Sequence, residues 1–196
     1  MKKIALTGGI ACGKSLTGYF IQEEGIPVCD ADQIAHAVMR PGSPVATAIL
    51  REFGSAIEGP DGGIDRARLA AIVFENPGRL AVLNGLVHPA VREAIDGWLA
   101  ALPAASPLAV VIIPLLFEAG MEQGWDGVIA VVSPKALQWQ RLLERGLTEV
   151  EAARRLAAQW PQERKMERAD WVIYNCGTRE LLRDQVKAVL RPMLER

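Results

Sequence analysis

The chain has 196 residues, is 50% hydrophobic, and carries 22 basic and 23 acidic side chains for a net charge of −1. That length can bury a sizeable core and suits one globular domain, compatible with a monomer or weak homo-oligomer. The balanced charge argues against bulk nucleic-acid binding, which leaves a basic excess. Cys12, Cys29 and Cys176 are widely spaced and form no C-x-x-C pair, which speaks against a zinc site or disulfide framework and for a reducing, cytoplasmic setting.

In chain order, KKIALT (2–7) comes first and reads as a strand, its apolar run too short for a signal peptide. GGIACGKS (8–15) follows. Adjacent glycines weaken helix and strand alike, so this stretch is a loop that gains from missing side chains. Gly8, four residues, then Gly13, Lys14 and Ser15 is the spacing of a P-loop. There, backbone N–H groups wrap a nucleotide's phosphates, the lysine reaches the outer phosphates, and the hydroxyl supports Mg2+. A glycine turn that merely precedes a lysine lacks the flanking strand and helix, whose N-terminus adds positive charge. That helix opens at Gly13 and ends at Gly25, a glycine cap. Cys12, beside Lys14 and the helix start, is expected to have a lowered thiol pKa and to react when nucleotide is absent.

The second strand, IPVCD (26–30), runs into CDAD. In open parallel sheets, ligands bind beyond the carboxyl ends of strands. Asp30 and Asp32 can therefore accept a hydroxyl proton or support Mg2+, while helix capping is the plainer role of Asp32. Helical patterns follow at ADQIAHAVMR and at 79–102, the latter expected to break near His88-Pro89. A lone histidine there is more simply a packing residue. Residues 41–105 show no clear strand and are expected to form a helical lobe.

Residues 98–117 are almost wholly apolar, but Pro103, Pro107 and Pro114 rule out a spanning helix. They read as a helix end, a turn and a buried strand, LAVVII, with no membrane contact. Leu115 and Phe117 after it are core or the floor of an acceptor site. Glu118 stays open between a substrate role and support of the metal. GVIAVV (127–132) and WVIY (171–174) complete five strands of a mostly parallel sheet flanked by helices. Ser133-Pro134 is expected to cap the helix ALQWQRLLER. Thr148 and Glu151 suit a capping box. The last helix, TRELLRDQVKAVLRPMLER, is expected to be interrupted at Pro192. Arg141 and Arg145 share a helix face and could close over ATP within a lid at 141–170. Arg154, Arg155, Arg164, Lys165 and Arg168 read as surface charges. Asn175 and Gly177 could approach a purine with backbone groups, an ordinary turn being the plainer reading.

These pieces together resemble the dephospho-CoA kinase family, a P-loop nucleoside-triphosphate hydrolase-like α/β fold. The resemblance is carried by LTGGIACGKS (6–15), GIPVCDAD (25–32), IDRARLAAIVF (64–74), LNGLVHPAV (83–91), VIIPLLFE (111–118), QRLLER (140–145) and ADWVIYNCG (169–177). It implies transfer of the ATP γ-phosphate to the ribose 3′-hydroxyl of dephospho-CoA. It implies Asp32 as base, Lys14 and the loop amides on the phosphates, Ser15 on Mg2+, and Arg141 as the lid arginine. The nucleotide set is then Gly8, Gly9, Ala11, Cys12, Gly13, Lys14, Ser15 and Leu16, with Asn175 and Gly177. His88, Leu115, Phe117 and Glu118 match the acceptor side, with Arg145 near it, and the helical lobe would bind CoA. Ala11-Cys12 stands where the family commonly has Gly-Ser, and Leu16 where it has Thr. A different small-molecule kinase is the rival. A GTPase switch is disfavoured because no N-K-x-D occurs.

Overall fold

Five strands form one wholly parallel sheet: β1 (Lys2–Gly8), β2 (Val28–Asp30), β3 (Leu108–Ile112), β4 (Gly127–Val132) and β5 (Trp171–Tyr174), in the order β2-β3-β1-β4-β5. The computed structural model describes residues 1–74 and 76–195, with Phe74 by its backbone alone. The last residue of the expected C-terminal helix, Arg196, and the side chain that ends the 64–74 motif lie outside the described residues. The helices are α1 (Lys14–Glu23), α2 (Ala31–Val38), α3 (Pro44–Phe53), α4 (Arg66–Phe74), α5 (Pro77–Ala100), α6 (Lys135–Glu144), α7 (Glu149–Ala157), α8 (Gln162–Glu167) and α9 (Arg179–Leu194).

The strand order follows from composition. LAVVI in β3 and GVIAVV in β4 are apolar on both faces and buried along their whole length, so they occupy central positions beside β1. β2 and β5 carry polar or exposed residues and form the edges. Leu6 of β1 is registered with Ile112 on one side and Ile129 on the other. β3 separates β1 from β2. Phe20 and Ile21 of α1 and Leu182, Val186, Leu190 and Met193 of α9 join Ile4, Leu6, Val110 and Ile129 in the main core. Gly18 lets α1 approach the sheet, since a Cβ there would press on the end of the Ile112 side chain.

The chain divides into two compact units: Met1–Asp30 with the residues from Leu102 onward, and Ala31–Ala101. The second is helical, with α5 packing against α2, α3 and α4. It starts at Ala31, earlier than the residue 41 expected for a helical lobe.

Two prolines do not break their helices. α5 continues through His88-Pro89, and α9 continues through Pro192. Each proline removes one backbone hydrogen bond. Apolar stripes hold the helices on both sides of the gap: Val87, Val91, Ile95 and Leu99 in α5, and Leu182, Val186, Leu190 and Met193 in α9. Ser133 does not cap α6, whose N-cap is Pro134 with no side-chain bond. The Ser133 hydroxyl instead reaches the Asn175 carbonyl at 2.7 Å. The Thr148–Glu151 capping box forms as expected. Among the described residues no helix is long and apolar enough to cross a membrane.

Candidate active site

The loop from β1 to α1 leaves the central strand of the sheet, at the end where parallel folds bind ligands. Its shape depends on missing side chains. Gly8 has φ 147°, and a Cβ there would collide with the Val131 carbonyl. Gly13, at φ 95°, caps α1 from the left-handed region, and a Cβ would collide with the Asn175 amide. Ala11 also has a positive φ, 59°. That conformation costs an L-residue about 1–2 kcal/mol. Its methyl is buried in a small cluster with Leu142 and Ala152, which offsets part of the cost.

Each carbonyl from Ile10 to Cys12 is held by a side chain from elsewhere in the chain. Gln138 Nε2 donates to the Ile10 carbonyl at 2.6 Å. Arg141 Nη1 donates to the Ala11 carbonyl at 2.9 Å, and Asn175 Nδ2 to the Cys12 carbonyl at 2.9 Å. The N–H groups of Gly13, Ser15 and Leu16 take no partner among the described residues. This leaves donors at the start of α1, where a helix N-terminus favours anions. Lys14 Nζ donates to the Gly8 and Gly9 carbonyls at 3.0 and 2.9 Å.

A groove of about 420 Å3 opens here. Ala11, Gly13, Lys14, Ser15, Leu16, Arg141, Arg145, Asn175 and Gly177 line it, together with Arg179. Four cations and no carboxylate lie in that lining, which suits a polyanion. Arg141 also donates to the Ser133 hydroxyl at 3.1 Å. Asn175 is buried. Gly8 and Gly9 form the buried base of the loop.

Cys12 is fully buried, and its thiol donates to Gln162 Oε1 at 3.1 Å. Burial pushes its pKa up and outweighs the pull of Lys14. The expected activated thiol is thereby overturned: the sequence showed the neighbouring charge but not the packing around sulfur.

The segment after β3 packs within the same unit. Phe117 is buried and stacks on Trp160 at 6.0 Å, and the Arg164 guanidinium lies 3.5 Å from the centre of the Trp160 ring. Glu118 Oε1 accepts from the Trp160 N–H at 2.9 Å and meets Lys165 Nζ at 2.7 Å. That approach is poorly directed for a hydrogen bond, so the attraction is mainly coulombic. Lys165 is completely buried, which corrects its reading as a surface charge. Glu118 Oε2 is buried without a hydrogen-bond partner among the described residues. Leu115 is 44% exposed.

Asp32 and His88 belong to the helical unit. Asp32 is exposed in the first turn of α2. His88 is half-buried within α5, and burial, aided by Arg92, holds its pKa below the usual histidine value. Residues missed from sequence are Arg179, Ser133 and the glutamines at 138, 159 and 162. Only Arg179 had a visible signal, a cation opening a helix just after a strand end.

Among the described residues no three His, Cys, Asp or Glu side chains cluster to hold a metal. Mg2+ needs no such cage, since it takes one or two protein groups and fills its shell from water and phosphates. Ser15, exposed and lining the groove next to Lys14 in sequence, fits that demand.

Comparison with known proteins agrees with this geometry. The family model described as dephospho-CoA kinase matches residues 2–180. A dephospho-CoA kinase of Geobacillus kaustophilus is 48% identical over 190 residues, 96% of this chain and 94% of its own length. A crystal structure from Thermus thermophilus superposes with a TM-score of 0.87 at 38% identity, covering 97% of each chain. A dephospho-CoA kinase structure from Campylobacter jejuni does so at 0.72 and 29% identity, covering 100% of this chain and 98% of that one. A phosphate-binding loop on this sheet, matched over nearly the whole length, places the chain in the dephospho-CoA kinase family.

Proposed function

We propose that this chain transfers the γ-phosphate of ATP to the ribose 3′-hydroxyl of dephospho-CoA, giving CoA and ADP. One observation carries the reading: the loop's carbonyls are tied to side chains while its unpaired N–H groups and four cations surround one groove. Phosphoryl transfer asks for positioning and positive charge rather than covalent help. Lys14 and the loop N–H groups would hold the phosphates, with Gly8, Gly9, Ala11, Cys12, Gly13 and Leu16 shaping their cradle. Arg141 and Arg145 would meet charge developing on the transferred group. Ser15 would hold Mg2+, which when bound offsets phosphate charge. Gly177 would present backbone groups to the adenine. Asn175, expected to do the same, has its N–H on the Val132 carbonyl and its carbonyl on the Ser133 hydroxyl, and would instead shape the cradle through its amide on the Cys12 carbonyl.

Asp32 would take the proton of the acceptor hydroxyl as its oxygen bonds to phosphorus and the bond to ADP breaks. Its place supports this role, two residues beyond the carboxyl end of β2. His88, Leu115, Phe117 and Glu118 are assigned to the acceptor side. The choice of dephospho-CoA rests on the family match, since a P-loop alone serves many acceptors. Three free thiols support a cytoplasmic setting.

The purified protein would be incubated with Mg-ATP and, in separate reactions, dephospho-CoA, AMP, CMP or shikimate. CoA from the first reaction alone is expected, and its absence would overturn the reading. Asp32→Asn is expected to bind ATP normally while turnover falls about 10²–10⁴-fold. Unchanged turnover would remove Asp32 from the role of base.

A further inference from the structure

Three glutamines outside the nucleotide motif converge on the loop. Gln138 comes from α6, Gln162 opens α8, and Gln159 lies between α7 and α8. Gln138 is 2% exposed, yet it has partners at both ends of its amide. Its Nε2 donates to the Ile10 carbonyl at 2.6 Å, and its Oε1 accepts from Gln162 Nε2 at 2.9 Å. Gln162 is in turn tied to both backbone groups of Ser133, at 2.9 and 2.7 Å. Gln159 Oε1 accepts the Ile10 N–H at 2.8 Å.

A trans peptide is planar, and its C=O and N–H point in opposite directions. Holding one end of the unit therefore aims the other. The Ile10 N–H shares its peptide with the Gly9 carbonyl, and that carbonyl accepts Lys14 Nζ at 2.9 Å. Gln159 and Lys14 thus grip one peptide unit from opposite ends. The Ile10 carbonyl shares its peptide with the Ala11 N–H. Gln138, by holding that carbonyl, aims the Ala11 N–H to the other side of the loop.

We infer that Gln138 and Gln159 are positioning residues for phosphate binding, Gln159 setting the peptide that seats Lys14 and Gln138 setting the peptide that presents the Ala11 N–H. Gln162 keeps Gln138 in place. This rests on reading the loop as a nucleotide cradle. It adds that the cradle's geometry is imposed by the segment after β4, because Ile10 and Ala11 have no side-chain polar group with which to hold their own backbone. The two glutamines differ in hydrogen-bond polarity: Gln159 acts on the loop only as an acceptor, Gln138 only as a donor.

That difference supplies the test. Gln138→Met and Gln159→Met keep side-chain length and remove the hydrogen bonds. Mg-ATP binding would be read by calorimetry with no acceptor present. Amide exchange at Ile10 would be followed by NMR, and the thermal midpoint would monitor folding. Each Met variant is expected to weaken Mg-ATP binding about 3- to 10-fold, the size of one lost hydrogen bond. The KM for dephospho-CoA should stay unchanged. Ile10 amide exchange should accelerate in Gln159→Met and return to the wild-type rate in Gln159→Glu, which keeps the acceptor oxygen. Wild-type Mg-ATP affinity in both Met variants would overturn the inference, as would an equal rise in both KM values. Binding is measured without acceptor, so the outcome is independent of CoA formation, which tests the function separately.

Discussion

At Cys12 two influences oppose each other. Lys14 and the start of α1 favour the thiolate, while burial favours the thiol, and burial wins. The sulfur is hydrogen-bonded to Gln162 and closed off from solvent. Cys176, after β5, is exposed. Iodoacetamide at pH 7 is therefore expected to label Cys176 in the folded protein well before Cys12, as peptide mass spectrometry would show. Faster labelling of Cys12 would mean that the loop opens in solution. The P-loop was legible because glycine and lysine spacing is local chemistry. The state of Cys12 was not, because Gln162 is distant in sequence and reaches it only in the folded chain.

Elements carry the next level of determination. α8 is short, and among the described residues no side chain caps its N-terminus. Holding it are Gln162, tied to both backbone groups of Ser133, and Lys165, buried against Glu118, with Trp160 in contact with Phe117 and Arg164 alongside. Removing one partner of a buried ion pair leaves the other charge uncompensated, at a cost of about 3–5 kcal/mol. Lys165→Met is expected to destabilise by that amount in denaturant unfolding. A double variant, Lys165→Met with Glu118→Leu, should recover most of the loss. A neutral single variant would show that the pair contributes nothing. In the sequence, Lys165 sat in a run of mixed charges indistinguishable from a solvated face. The same limit applied to Pro89 and Pro192, where local propensity predicted breaks and packed stripes on either side carried the helices through.

For the whole molecule, a ligand that binds only the folded state adds stability by mass action. Mg-ATP at one hundred times its Kd should add about 2.7 kcal/mol, a rise in thermal midpoint of several degrees for a chain of this size. Differential scanning calorimetry with and without Mg-ATP measures it, and no shift at any concentration would sink the nucleotide reading. Gly13→Ala should abolish the shift, because a Cβ there meets both an unfavourable φ and the Asn175 amide.

The sequence by itself determined the parallel α/β architecture, because buried central strands must be apolar on both faces and LAVVI and GVIAVV could be nothing else. It also determined the phosphate loop and, through motifs spread along the chain, the family. Tertiary structure alone decided the strand order and the location of β1 between β3 and β4. It also decided the burial of Lys165 and Cys12 and the glutamines that hold Ile10. Hydrophobic periodicity and glycine spacing are properties of neighbouring residues and survive in a linear reading. A buried ion pair or an amide reaching a distant backbone is a property of two segments, and its partner exists only once the chain has folded.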